Sequence, residues 1–511
     1  MSYIELDETP PSSTAEPDSP TAEPAKLTIS EVKEQTEPPL HADYIEQIVQ
    51  EFGPPGYQNV YGRLFKLNEP FWAALRARET IMFHCPEENR FYQYNSSNGL
   101  HEIITENKLR TQFEHRIYKA AKSWGSQWSR LEELRNSSSL TGILSHLKGQ
   151  TELHQAFKNT ENIFACKNRL IRFKDRTYQI ELLPFSPRYR LRHASPFIYD
   201  PDAKCPHFRA SILGHVPGDD QEILQKLAGQ ALIGRNLIQR FGILDGVGGA
   251  SKTEFIMTVR DAIGAEACAE LRIEQLKTRF EIGAISRASL LYGPDVPGNF
   301  LSLPEAYRVK SLVGGDSLEC EIKGSNFRYQ IEGRFNILIS SNSCLKLSIN
   351  SDRSAWERRL VVIRFERPYT GKKIADIHLL LLDEEGPGIL NWILEGAQKL
   401  LKDIELGGDI CFSARHQSLI DRLLNESDSL AIFLSTSIVR AGHGETEGLL
   451  TADIIDAYLA YCQKQEWDPM PIGGVEKKLP DLMAKLFATQ RSHSLEAGLR
   501  GFRRVRWKDH H

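Results

Sequence analysis

Methionine, tryptophan and cysteine are all scarce in these 511 residues, at five, seven and eight copies. The cysteines, at positions 85, 166, 205, 268, 320, 344, 411 and 462, lie far apart. No two form a CxxC half-site, so a zinc module of paired thiolates is excluded. Cys205-Pro206-His207 is a lone pair with no second pair nearby, and the thiols read as small buried hydrophobes kept reduced. No apolar run reaches the ~18 residues that span a bilayer, which excludes a membrane-spanning role. The opening MSYIELDETP is acidic and has no apolar centre, so it is not a secretory signal. A cytoplasmic location with no membrane partner is expected. There is also no internal repeat.

A strong positive field is missing as well. The chain carries a net charge of −4, but that charge is unevenly placed. Residues 1–40 hold nine acids against Lys26 and Lys33, a net of −7, which leaves +3 for residues 41–511. Nucleic-acid contact would therefore rest on local basic patches rather than on a global field. The same 40 residues hold seven prolines and almost no aromatics. Such a stretch cannot bury enough apolar area to offset its ordering entropy, so a disordered acidic tail is expected.

What is present divides into three parts after the tail. Residues 41–205 read as an α+β unit. Within it Phe91-Tyr92-Gln93-Tyr94 runs into an Asn95–Gly99 turn as a hairpin, and ITENKLRTQFEHRIYKAAK has helical periodicity. A second strand pair is expected over RLIRFKDRTYQIELL, and no chemistry stands out in this unit. Residues 206–405 alternate apolar strands with helical segments, the pattern of an α/β domain with a largely parallel sheet. Residues 415–511 form a last unit that ends in the basic GLRGFRRVRWKDHH.

The chemistry concentrates after the strand RFGILDG. Gly246-Val247-Gly248-Gly249-Ala250-Ser251-Lys252-Thr253 follows the phosphate-loop pattern GxxxxGK[ST] except at Ser251, where glycine is usual. Such a loop needs a strand that stops, backbone N–H groups that wrap phosphates, and a helix N-terminus behind them. Gly246, Gly248 and Gly249 allow close approach, with Ala250 and Ser251 completing the turn. Lys252 would reach the β- and γ-phosphates of ATP and Thr253 would hold Mg²⁺. Ser251 places a Cβ where that turn prefers none.

Downstream come Arg287-Ala-Ser-Leu-Leu-Tyr-Gly-Pro-Asp295, Lys310-Ser-Leu-Val-Gly-Gly-Asp316, Phe335-Asn-Ile-Leu-Ile-Ser-Ser-Asn342 and Ala355-Trp-Glu-Arg358-Arg359-Leu-Val-Val-Ile-Arg-Phe365. This ordered set resembles the A, B, B′ and C motifs of superfamily-three helicases, most closely the phage and plasmid primase-helicases. The resemblance extends to Tyr199–Pro206, to Gly388-Ile-Leu-Asn391-Trp392, and to Ser427–Phe433 with Tyr458–Cys462, covering about residues 80–508.

The resemblance implies a P-loop AAA+-like ATPase core, an N-terminal α+β domain and a C-terminal winged helix, assembled as a ring, expected to be a hexamer. It implies roles too. Asp295 would hold Mg²⁺ and orient the attacking water, although the family often has Glu or an acidic pair there. Asn342 would contact the γ-phosphate or water; it ends a buried strand, where an unsatisfied amide is costly. Arg358 or Arg359 would act as an arginine finger on a neighbouring subunit, with Arg353 a weaker candidate. Lys323, at the turn of a hairpin, and Arg328 would contact single-stranded DNA in the channel. Arg503 and Arg504 would bind duplex DNA from the winged helix.

No polymerising domain is recognisable ahead of the motor, so a separate primase or polymerase is the expected partner. The function so implied is an ATP-dependent replicative DNA helicase of a mobile element. Two alternatives stay open: a non-hydrolysing or weakly hydrolysing origin-binding or assembly protein, and a nucleotide-driven switch or loader.

Overall fold

The computed structural model describes residues 42–158, 161–277, 279–298, 300–321, 328–342, 345, 347, 353–368, 374–442, 447–465, 467–493, 495 and 498–508. Its centre is a five-stranded sheet built from β1 (Phe241–Gly246), β2 (Cys268–Glu270), β3 (Leu290–Gly293), β4 (Asn336–Ser340) and β5 (Leu360–Phe365). The strands lie in the order β2-β3-β4-β1-β5 and all pair in parallel. The chain class is thus mixed α/β, with a parallel sheet.

Both faces of this sheet are buried, which is why its strands are apolar runs rather than alternating ones. Leu244, Leu290, Leu338, Val361 and Ile363 point to one face. There they meet three helices: α1 (Gly218–Ile233), α2 (Lys252–Ile263) and α3 (Ile377–Gly407). Phe241, Ile243, Leu291, Ile337, Ile339 and Val362 point to the other face. That face is covered by the segment after β2, by helix Tyr307–Gly314, and by Ile420, Leu423 and Leu424 of helix Ala414–Ser427.

α1 and α3 approach very closely, which requires glycine. A Cβ at Gly396 would stand 1.9 Å from the Gln225 carbonyl oxygen, and one at Gly229 would stand 2.1 Å from the Ala397 nitrogen. α3 also clamps the segment ahead of α1. Glu385 accepts the backbone N–H groups of His207 and Phe208 at 2.8 and 2.9 Å, satisfying donors at the start of a short helix. Asn391 donates to the carbonyls of Asp200 and Ala203. The sequence segments 199–206 and 388–396 therefore meet in space, and their residues hold the architecture together.

The preceding part of the chain packs helices Ala42–Phe52, Glu69–Glu79, Glu106–Ser123 and Ser137–Gln150 around Phe71, Trp72, Phe113 and Leu147. Its antiparallel strands Met82–Cys85, Arg90–Asn95 and Leu100–Ile104 include the expected hairpin. A four-stranded sheet follows, and its Phe164, Cys166, Ile171 and Phe173 belong to the same apolar cluster as α1–α3.

At the other end, helices Ser429–Ser437, Thr451–Lys464 and Ile472–Phe487 pack with short antiparallel strands around Phe433, Tyr458 and Phe502. Among the described residues no helix is long and apolar enough to cross a membrane.

Candidate nucleotide site

The loop after β1 lies between the end of that strand and the first residue of α2. Its conformation depends on glycine at two places. Gly246 has φ +126°, and a Cβ there would stand 2.2 Å from the Phe365 carbonyl oxygen, because β5 runs alongside. Gly249 has φ +75° and open space around it. Ala250 is buried. Ser251 then takes the left-handed conformation, φ 62° and ψ 20°, and its hydroxyl makes no capping bond to α2. The misfit expected at Ser251 therefore lies in its backbone.

Lys252 opens α2 and is only 5% exposed. Its ammonium folds back onto the loop, donating to the carbonyls of Gly246 at 2.9 Å and Val247 at 2.7 Å. Burial lowers its pKa, while the carboxylates of Asp245 and Asp295 favour the charged form. Thr253 follows as the second residue of the helix, half-buried.

Asp295 and Asn342 come from the two strands beyond. β3, β4 and β1 are consecutive neighbours in the sheet, so their carboxyl ends deliver residues to one place. Asp295, exposed and at φ 52°, donates its backbone N–H to the Ser340 hydroxyl at 3.0 Å. Its carboxylate accepts the Asn342 side-chain amide at 2.6 Å. A Cβ on Gly248 would stand 4.0 Å from the Asn342 amide oxygen, so Asn342 faces the loop. The strand before Asn342 is buried throughout, but the amide itself is exposed two residues beyond it. The burial expected for Asn342 is not met; Asp295 satisfies the amide instead.

Three residues with a place in this site escaped the sequence reading. Asp245, just ahead of the loop, has its pKa raised by burial, against the pull of Arg364 and Lys252. Ser340 and Ser341 fix the ends of the strands: Ser341 donates its N–H to the Leu244 carbonyl and its hydroxyl to the Val296 carbonyl. An acid directly before the first loop glycine was the available signal for Asp245. Beside the loop a cavity of about 450 Å³ is lined by Asp245, Gly246, Val247, Asn342, Arg364 and Trp467, among others. That is room for a small organic group.

The arginines lie elsewhere. Arg358 and Arg359 precede β5, at the opposite end of the sheet from the loop. A six-residue strand separates them from it by roughly 16 Å. Arg358 is exposed and donates to the Ser354 carbonyl at 3.3 Å. Arg359 is tied to the carbonyls of Lys310 and Ala355. Arg353 donates to Asn425. Within one chain Arg358 and Arg359 lie at the far end of β5 from Lys252.

Arg328 sits on strand Arg328–Glu332 and faces two carboxylates across its hairpin, Glu321 at 3.1 Å and Glu319 at 3.7 Å. Its charge is already balanced. Lys323 lies outside the described residues. Arg503 and Arg504 are exposed at the end of strand Gly501–Arg503, and Arg504 has φ 61°.

Among the described residues no group of three or more His, Cys, Asp or Glu side chains could hold a metal on its own. Mg²⁺ keeps waters and phosphate oxygens and needs only one or two protein ligands. Exposed Asp295, close enough to Lys252 to influence its charge, and Thr253 fit that smaller demand.

No family model matches this chain, and no curated protein matches it. Solved structures similar to it include the A form apo structure of the NrS-1 C terminal region (residues 305–718), at 10% identity and TM-score 0.42, covering 85% of this chain and 99% of that one. Another A form apo structure of the same region gives 10%, 0.41, 84% and 98%, and a further apo structure gives 10%, 0.42, 85% and 99%. A likeness at this level establishes neither a shared family nor a shared activity.

Proposed function

We propose that this chain is an ATP-dependent motor that moves on single-stranded DNA as a ring, with an AAA+-like superfamily-three core and a C-terminal winged helix. The observation that carries the reading is the meeting of the Lys252 loop, Asp295 and Asn342 at the carboxyl ends of three adjacent parallel strands. Crevices outside such strand ends, where the connections change direction, are where open α/β sheets bind ligands.

In this account the Lys252 ammonium leaves the Gly246 and Val247 carbonyls and turns to the β- and γ-phosphates, while the N-terminus of α2 supplies further positive potential. Thr253 and Asp295 would hold Mg²⁺, which neutralises phosphate charge when bound. Asn342 and Asp295 position the attacking water between them. Arg358 is the better finger: it is exposed, and its distance from its own loop leaves it to act on a neighbour's. Arg359 serves the fold. A ring of subunits follows from that division of labour, a hexamer by the resemblance, with Lys323 in the channel and Arg503 and Arg504 on duplex DNA. A separate primase or polymerase would complete replication.

The second reading, a nucleotide-dependent assembly protein with little turnover, draws on the left-handed Ser251 and on the inward fold of Lys252. Separation of a forked DNA duplex decides between them. The motor separates the strands only while it hydrolyses ATP. Tight nucleotide binding with no hydrolysis, with or without single-stranded DNA, would favour the assembly protein.

A further inference from the structure

The first hairpin among the described residues carries four exposed large hydrophobic residues. Strands Gly56–Gln58 and Leu64–Leu67 form it. Val60 is 94% exposed, Tyr61 88%, Phe65 59% and Tyr57 42%. Isolated exposed hydrophobics need no explanation, but four within nine residues do.

The hairpin is built to hold them outward. Leu64 and Leu67 anchor it in the apolar core below. The pairing skips Phe65, since Tyr57 lies opposite Lys66 and Gln58 lies opposite Leu64. This bulge turns both Phe65 and Lys66 to solvent, as bulges re-aim side chains. The tip is closed by its own hydrogen bonds. The Asn59 side-chain oxygen accepts the N–H groups of Tyr61 and Arg63, and Gly62 donates back to the Asn59 carbonyl. Gly62 has φ +75°, and a Cβ there would meet nothing within 4 Å, so the turn stands clear of the rest of the chain. Tyr61 is thereby presented at little ordering cost.

The charge of the hairpin selects the partner. Residues 56–67 contain Arg63 and Lys66 and no acid. Arg63 is exposed, and among the described residues Lys66 meets Glu69 loosely, at 3.8 Å. Aromatic faces interleaved with cations, on a rigid support, suit stacked bases flanked by phosphates.

We propose that this hairpin is a stacking site for unpaired bases of single-stranded nucleic acid, with Tyr61 and Phe65 as platforms and Arg63 on the backbone. The inference deepens the motor reading by giving the strand a second contact outside the ATPase core. It does not need turnover, so it can fail separately.

The test is binding of a fluorescent 20-mer of deoxythymidine to the full chain, without nucleotide, followed by anisotropy. Stacking at one base changes affinity by about 5- to 150-fold. Tyr61→Ala should weaken binding within that range, and Tyr61→Trp should retain it. Tyr61→Leu, apolar but unable to stack, should behave as Tyr61→Ala does. Arg63→Ala should also make the slope of log affinity against log salt shallower by ~0.7, whereas Tyr61→Ala should leave the slope unchanged. All these positions are exposed, so thermal unfolding should match the parent and exclude misfolding. Wild-type affinity in Tyr61→Ala would overturn the proposal. So would equal affinity in Tyr61→Leu and Tyr61→Trp, because a protein or subunit contact needs only the apolar area. If Tyr61→Ala instead shifts the sedimentation of the free protein, the hairpin is a subunit contact and the proposal fails.

Discussion

Ser251→Gly is the substitution whose outcome follows most directly from geometry. At φ 62° and ψ 20° the serine Cβ crowds the following carbonyl, which costs an L-residue roughly 1–2 kcal/mol. Glycine removes that cost but makes the unfolded chain freer, by roughly 0.4–1 kcal/mol. Replacing a serine cap by glycine usually costs a further few tenths of a kcal/mol. Here that loss is absent, because the Ser251 hydroxyl makes no capping bond. The net expectation is a gain of roughly 0–1.6 kcal/mol in stability, centred near 0.8. Nucleotide affinity should be unchanged if Ser251 keeps this conformation on binding, and tighter, by about fivefold per 1 kcal/mol, if binding adds strain there. Denaturant unfolding measures the first quantity and calorimetric titration with a non-hydrolysable ATP analogue the second. A tenfold loss of affinity in Ser251→Gly would refute the reasoning, since the hydroxyl would then be a ligand rather than a strained cap.

Other expectations concern the rest of the site and the N-terminal part. Asp295→Asn should keep nucleotide binding but lose turnover by roughly 100-fold or more, measured by phosphate release, because metal and water positioning fail while the loop persists. Arg358→Ala should lower turnover by about a thousandfold and still bind nucleotide. Mixing it with Lys252→Ala subunits should restore part of the activity, and no complementation in mixed assemblies would count against a finger acting between subunits. His101 is buried beside Phe83 and Tyr94, and burial lowers its pKa from 6.5 to about 4. The unfolded chain therefore takes up this proton first. Stability is complete above pH 6.5 and falls towards pH 4, by up to about 3 kcal/mol for this group. Acid unfolding followed by circular dichroism should show that slope, and His101→Gln should make it shallower while His193, lowered in the same way, keeps a share.

Local signals made much of the fold legible. Asn98-Gly99 marks the turn between strands Arg90–Asn95 and Leu100–Ile104, and Thr105 caps the next helix by accepting the Lys108 N–H. Apolar runs bounded by glycine gave β1 and its following helix, because a strand buried on both faces carries no polar alternation. What stayed hidden depends on distant contacts. Arg328 looked like a free cation until strand register placed Glu319 and Glu321 across from it. Asn342 looked buried because its strand is, but the chain emerges to solvent within two residues. The segments 199–206 and 388–396 were recognised as motifs, yet their mutual packing through Asn391 joins residues about 190 positions apart. The bulge at Phe65 was equally invisible, since it is a property of pairing rather than of composition.

The central claim is that the loop after β1 hydrolyses ATP in response to a nucleic-acid strand. The most direct test is ATP turnover by the wild-type chain and by Lys252→Ala, each with and without single-stranded DNA. Lys252 is buried with its ammonium on the loop carbonyls, and its substitution removes the cation proposed to cradle the β- and γ-phosphates. The account predicts strand-stimulated turnover in the wild type and none above background in Lys252→Ala. Equal turnover in both proteins would contradict it.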